Sequence, residues 1–390
     1  MTATSGDYDP IALMHTLVAI PSVNRRIAPG SSGETAIAQF CSRWLQQRGF
    51  EVEWLEAESG SPTLVAYHRG TGGGRTLLLN GHLDTVGVES YIGDPFRATV
   101  EGDKIYGRGT YDMKGSLAAM LVAAVSATRT SPRGTVVLTL VADEEFGSVG
   151  TEEALRFLSA RPDLRADGAI VLEPSSLELT LAHRGFAWFE LELLGRAAHG
   201  SQPELGVDAI AGATALLPAL DEWARALAAA PQHKRLGSGT VRVSTITGGV
   251  DAATVAPSCT LTIERRTLPG EGADAVEGEL RTVIENALVG LPELTSTLTR
   301  LVARPAFQAD PDSAILLAVR SAAEATLGFS PAERAEPFWT DAALVSEAGI
   351  ACLVYGVDGG GAHSDREWVT AESVRELAKI LEVTIGDFCG

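Results

Sequence analysis

The sequence predicts an α/β protein: a doubly wound, mixed-sheet domain interrupted by an inserted α+β domain. Three observations carry this. Short apolar runs alternate with helix-like segments in the first half of the chain and again near its end, as in a largely parallel sheet covered on both faces. Between those stretches the period drops to two, in "FAWFELELLG" and "SCTLTIERRTLP", which marks strands with one solvated face. At 390 residues the chain is also long for one simple core.

The elements follow in order. "PIALMHTLVAI" predicts a short helix with Pro10 at its first position. "SSGETAIAQFCSRWLQQRGF" predicts a second, with Ser32 and Thr35 near its start and Gly49 as its stop. Then come the strand "TLLLN", the helix "GSLAAMLVAAVSA", the strand "TVVLTLVAD", a helix around "TEEALRFLS" and the strand "GAIVLEP". The inserted domain adds helices in "DAIAGATALLPALDEWARALAA" and "ADAVEGELRTVIENAL" to its alternating strands. The first pattern returns with "DSAILLAVRSAAEATLG", "TDAALVSEAG", the strand "ACLVYG" and a closing helix in "AESVRELAKILEVTIGDF". These boundaries assign residues 1–182 and 302–390 to the first domain and 183–301 to the insertion. "GTGGGRT" lacks the Lys-Ser/Thr of a phosphate loop and precedes a strand, so it reads as a turn.

Composition narrows the function. A net charge of −19 without a basic cluster disfavours nucleic acid and anionic lipid as partners. No apolar run approaches the ~18 residues of a membrane span. The polar, acidic start "MTATSGDYDP" has no signal-peptide pattern. Cys41, Cys259, Cys352 and Cys389 form no Cys-x-x-Cys pair, which argues against a thiolate zinc site and fits a reducing cytoplasm.

Chemistry gathers where apolar runs finish, the edge at which open α/β sheets place their ligands. "TLLLN" leads to His82 and Asp84, "TVVLTLVAD" to Glu144 and Glu145, "GAIVL" to Glu173, and "ACLVYG" through a glycine-rich loop to His363. Asp112 lies in "GRGTYDMKG", a loop that opens a helix. Singly, each has a plain reading: a hydrogen-bonded core histidine, helix-capping glutamates, a strand terminator. Together, two imidazoles and several carboxylates form a nitrogen and oxygen donor set suited to zinc, cobalt or manganese. Five ligands suggest two ions: with Asp112 bridging, each ion receives three protein ligands and keeps an open position. Asp84, two residues after His82, would orient the imidazole from behind. Of the adjacent Glu144 and Glu145, one can ligate while the other serves as general base.

The ordered motifs "GHLDTV", "GRGTYDMKG", "DEEFGS", "LEPS" and "AHSDREWV" resemble those of the M20 metallopeptidases, in particular the acetylornithine deacetylase, succinyl-diaminopimelate desuccinylase and glutamate carboxypeptidase group. The resemblance covers nearly the whole chain. It implies that His82, Asp112 and Glu173 hold one ion and Asp112, Glu145 and His363 the other, with Zn2+ expected and Co2+ the alternative. It makes Glu144 the general base and Asp84 the orienting carboxylate. "GRAAHGSQPELG" is similar to the family's lid motif, which implies that His199 polarises the scissile carbonyl, often across a dimer interface. "ERRTLPG" is similar to its Asp-x-Arg-x-x-Pro-Gly, which implies that Arg266 binds a substrate carboxylate. Thr340 and Asp341 in "PFWTDAAL" match residues that line the pocket. Three positions depart from the pattern: Glu264 for Asp, Trp339 for Gly, and Arg366 for Asp or Asn. The resemblance implies a cytoplasmic homodimer that hydrolyses the amide bond of a small N-acyl amino acid or dipeptide-like substrate. The alternatives are a metallo-carboxypeptidase or dipeptidase on the same scaffold, and a catalytically silent metal-binding protein.

Overall fold

The structure, a computed structural model, describes residues 9–129, 132–230 and 233–390. Most of the polar N-terminal stretch lies outside the described residues. Two compact units form: Met1–Leu181 with Ala309–Arg334 and Thr340–Gly390, and Ala182–Gln308 with Ala335–Trp339.

In the first unit the strand Thr76–His82 lies between Thr135–Val141 and Gly168–Val171, parallel to both. Cys352–Val354 adds in parallel beyond Gly168–Val171. Thr63–Arg69 and Glu51–Leu55 extend the other side antiparallel, making the sheet mixed. From Leu77 to His82 every residue is buried, whichever face its side chain takes, so both faces of this strand are covered. That is why the run is unbroken in leucine instead of alternating. Helices Pro10–Val18, Gly115–Thr128, Ala314–Leu327 and Ala371–Cys389 pack into one group. Thr35–Gln46, Val149–Ser159 and Ala342–Glu347 contact the strands as a further set. The first helix starts at Pro10, as its sequence predicts, with the Asp9 carboxylate accepting from Ile11 N at 3.0 Å. A small antiparallel sheet, Gly359–Gly360, Trp368–Thr370, Lys104–Tyr106 and Thr99–Glu101, was not anticipated.

The register decides where the chemistry sits. His82 pairs with Val141, Asn80 with Val171, and Val354 with Val171. Parallel strands aligned in this way finish together, so the residues that follow them leave from a common edge.

The second unit is built on a four-stranded antiparallel sheet in the order Thr240–Gly248, Ser258–Thr267, Gly185–Leu194, Thr295–Arg304. Gly185–Leu194 buries alternate residues, and Phe189, Leu191 and Leu193 join Leu261, Ile263, Leu216 and Leu280 in its core. Helices Ala209–Ala229 and Ala273–Leu288 supply the last two of these. The sequence boundary at 301 falls inside the strand Thr295–Arg304, and the unit continues to Gln308. Ala335–Trp339 also belongs to this unit, although the sequence placed it in the first domain.

Candidate metal centre

His82 ends its strand 1% exposed. Its Nε2 lies 3.0 Å from Asp112 Oδ1 and 3.6 Å from Glu173 Oε1. His363 Nε2 lies 2.9 Å from Glu145 Oε2 and 3.4 Å from Asp112 Oδ2. Two histidine–carboxylate groups therefore form, and Asp112 belongs to both through different oxygens. Donor atoms of His82, Asp112 and Glu145 lie within 4.8 Å of one another, as do those of His82, Glu144 and Glu173. Glu144 thus sits beside the first group. Asp143, Ser148 and His363 adopt left-handed φ values of 65°, 56° and 61°. Such conformations in non-glycine residues persist where the surroundings enforce them, and here they shape the turns that carry Glu144, Glu145 and His363.

The contacts of Asp84 extend beyond the His82 ring. His82 Nδ1 lies 3.0 Å from the Asp84 backbone carbonyl and 3.5 Å from its Oδ1. The carboxylate also accepts from Glu144 N at 3.2 Å, Glu145 N at 3.1 Å and Asn24 Nδ2 at 2.8 Å. One buried carboxylate holds both His82 and the turn that presents the two glutamates. Asn24 extends this network to Asp143 Oδ1 at 3.1 Å. Sequence reasoning missed Asn24, because nothing in "PSVN" marks a partner 60 residues away.

The electrostatics describe a site crowded with negative charge. Burial alone would raise the Asp112 carboxyl, yet hydrogen bonds from His363 and His82 hold it well below the usual range. Burial pushes Glu173 and Glu144 well above theirs; Glu173 and Asp341 add to the effect on Glu144, and Asp112 and Asp341 to that on Glu173. Glu145 rises to about 7 through burial and the Asp112 charge. Burial opposes protonation of His82, but Glu173, Asp112 and Asp84 outweigh it and raise the imidazole. His363, held by Asp112 and Glu145, rises to about 10. Protons on these groups do what cations would do there. The donor set of imidazole nitrogens and carboxylate oxygens, together with the buried Glu145 Oε1 that has no hydrogen-bond partner, fits divalent ions. Asp112, Glu145 and His363 would hold one, and His82, Asp112 and Glu173 the other. All four cysteines are buried away from this chemistry as free thiols.

The remaining sequence candidates are placed as follows. His199 is exposed, and Ser201 N donates to its Nδ1 at 3.2 Å, so the ring proton belongs on Nε2. Arg266 stacks over Phe186 at 5.4 Å and pairs with Glu264 at 2.8 Å. Glu264 also accepts from Arg242 Nε at 2.7 Å and Trp188 Nε1 at 3.2 Å; despite its burial, these donors lower its carboxyl. Thr340 and Asp341, expected to line a pocket, are each 1% exposed. Thr340 Oγ1 accepts from Ala342 N at 3.2 Å, and Asp341 accepts from the Thr151 hydroxyl. Their side chains support the helix Ala342–Glu347 and the first turn of the helix Val149–Ser159. Trp339 donates from Nε1 to Pro305 O at 3.0 Å and meets Phe186 edge-on at 6.1 Å. Arg366 turns outward to Glu101 at 3.2 Å, over the Tyr106 ring.

Two imidazoles and a ring of carboxylates at the finishing edge of the parallel strands of a mixed sheet define a metal-dependent hydrolase of C–N bonds. The chain belongs to peptidase family M20/M25/M40, whose profile matches residues 78–387. It is 30% identical over 358 residues to an acetylornithine deacetylase of Myxococcus xanthus, covering 89% of this chain and 90% of that protein. It is 34% identical over 205 residues to an acetylornithine deacetylase of Proteus mirabilis, 51% of each. The fold matches the M20 family metallo-carboxypeptidase Sso-CP2 of Sulfolobus solfataricus with a TM-score of 0.79 at 20% identity, over 98% of this chain and 99% of that one. It also matches the Bacillus subtilis protein YXEP, a dinuclear metal binding peptidase of the M20 family, with a TM-score of 0.75 at 16% identity over 98% of both chains. Among the described residues no helix is long and apolar enough to cross a membrane.

Proposed function

We propose that this chain is a deacylase that hydrolyses the amide bond of a small N-acyl amino acid with a free carboxylate. The observation that carries the reading is the pair of histidine–carboxylate groups sharing Asp112, with the Glu144 carboxyl beside them. The deacetylase relatives favour this substrate class over a peptide. Two divalent ions, Zn2+ before Co2+, would be held by the five ligands, and bound there they would polarise the carbonyl and acidify water.

The chain's own residues do the rest. Glu144 takes a proton from the attacking water and returns it to the departing amine nitrogen. Its buried, negatively crowded setting raises its proton affinity, as that double task requires. Asp84 keeps the Glu144 backbone and the His82 ring in place. His199 donates from Nε2 to the carbonyl oxygen, and Arg266 takes the substrate carboxylate in a bidentate contact. Glu264, longer by one methylene than the family's usual Asp, steadies that guanidinium. The same reading makes the protein a cytoplasmic homodimer with the second unit as its lid and dimerisation domain.

The test is a hydrolysis screen of ion-loaded protein, varying acyl group and amino acid independently beside a panel of dipeptides. Turnover of N-acetyl amino acids above dipeptides supports the deacylase. The reverse order makes it a peptidase, and no turnover on either panel removes the assignment.

A further inference from the structure

Glu367 is 1% exposed, and its carboxylate is filled on both oxygens. Oε2 accepts from Arg108 Nη1 and from Gly109 N, each at 2.9 Å. Oε1 accepts from Tyr111 N and from Asp112 N, each at 2.9 Å. Three of these donors are backbone amides of the loop that carries Asp112. The Gly109, Tyr111 and Asp112 amides curl around this one carboxylate while Thr110 N turns back to Gly107 O, so the loop's shape depends on the anion being there. Arg108 is itself 1% exposed, and its Nη2 donates to Ser364 O at 2.9 Å, one residue from His363. The small antiparallel sheet sets up this meeting. Trp368 pairs with Tyr106, and just beyond the strands Gly107 N donates to Glu367 O at 3.2 Å. Two loops distant in sequence therefore run side by side, and each carries a candidate ligand.

We propose that Glu367 is a positioning residue of the metal centre, fixing Asp112 through its backbone and His363 through Arg108. The proposal rests on the reading of Asp112 and His363 as ligands. His82 and Glu173 follow strands of the main sheet and do not depend on this clamp. Its loss should therefore weaken the ion held by Asp112, Glu145 and His363 more than the other.

Glu367→Gln is the informative change because it keeps shape and volume. Each carboxylate oxygen faces two N–H donors, so in either orientation the new amide nitrogen confronts a pair of donors. Arg108→Lys is the second variant. It keeps the charge, but a single ammonium on a flexible stem does not reproduce the two-pronged link between Glu367 and Ser364.

The experiment titrates ion-free protein with Co2+ alone, by calorimetry and by the visible cobalt spectrum, with melting temperature measured alongside. Wild type should bind two equivalents. Both variants should bind one equivalent about 10–100-fold more weakly, the range for loss of a partner behind a ligand. The cobalt bands should shift, and kcat should fall with little change in KM. If Glu367→Gln does not fold, Arg108→Lys decides. Two equivalents bound at wild-type affinity with an unshifted spectrum overturn the proposal, even if the melting temperature drops, because the pair would then be structural only. Wild-type protein that binds no Co2+ overturns the metal reading itself, an outcome distinct from the first.

Discussion

Asp84→Asn isolates what the carboxylate behind His82 contributes. The carboxylate accepts from Asn24 Nδ2, Glu145 N and Glu144 N at 2.8, 3.1 and 3.2 Å, and lies 3.5 Å from His82 Nδ1. An asparagine there has one acceptor oxygen. Oδ2 serves two donors and Oδ1 serves one, so the better orientation keeps Asn24 and Glu145 and turns an amide nitrogen toward Glu144 N. One hydrogen bond to a charged acceptor, about 1.5–3 kcal/mol, is then lost and the others become neutral and weaker. The native state should lose about 2–4 kcal/mol on that basis. The freed Glu144 amide also loosens the proposed base. A 10–100-fold drop in kcat is expected, the usual effect of removing a partner that orients a metal site. At ~1.4 kcal/mol per decade, this is about 1.4–2.8 kcal/mol of transition-state stabilisation. KM should change little, since Asp84 is 1% exposed and in no position to touch substrate. The assay is steady-state hydrolysis of an N-acetyl amino acid at saturating Zn2+, with ion content measured on the same samples. A kcat within about threefold of wild type, with both ions bound, would refute the network's role in placing Glu144.

Glu144→Gln should keep both ions and lower kcat by about 10²–10⁴, the contribution of a positioned acid–base group; a loss under tenfold places the base elsewhere. In the ion-free chain, Glu145 is raised from 4.5 to about 7 and His363 from 6.5 to about 10. The folded state thus binds more protons than the unfolded one across that window, and stability falls as pH rises through it. Ions must displace those protons, so the melting-temperature gain on adding Zn2+ should be larger at about pH 8.5 than at about pH 6; a flat or reversed dependence contradicts the assignment. Arg266→Ala should raise KM for free-acid substrates and leave amidated analogues nearly unchanged, and equal losses on both would remove the carboxylate contact. Asp341→Asn, at a buried carboxylate that accepts from Thr151, should lower the melting temperature with little effect on KM, and a large KM rise would return Asp341 to the substrate pocket.

The candidates His82, Glu145 and Glu173 were legible because each stands at or just past the end of an apolar run, and Asp112 and His363 because each lies in a glycine-rich loop beside one. A strand buried on both faces reads as unbroken leucine and valine, and the charge that ends it stands out. The outer strands of the second unit were not legible. Thr240–Gly248 and Thr295–Arg304 are mostly exposed and pair along one side only, so they carry little hydrophobic alternation. The boundary at 301 fell inside one of them for that reason. The residues hydrogen-bonded behind these candidates were invisible for another reason. Asn24 meets Asp84 across 60 residues and Glu367 meets Asp112 across 255, and no local spacing encodes such contacts. Arg366 shows the converse: it departs from the family motif, yet its side chain pairs on the surface with Glu101.

The proposed centre holds two ions on His82, Asp112, Glu145, Glu173 and His363 for amide hydrolysis, with Glu144 as base. It is tested most directly by measuring ion content and N-acetyl amino acid turnover together, in wild type and Glu144→Gln. Both proteins should carry two ions per chain, with turnover only in ion-loaded wild type and its loss on chelation. Turnover that persists in chelated wild type, or in ion-loaded Glu144→Gln, would contradict this assignment.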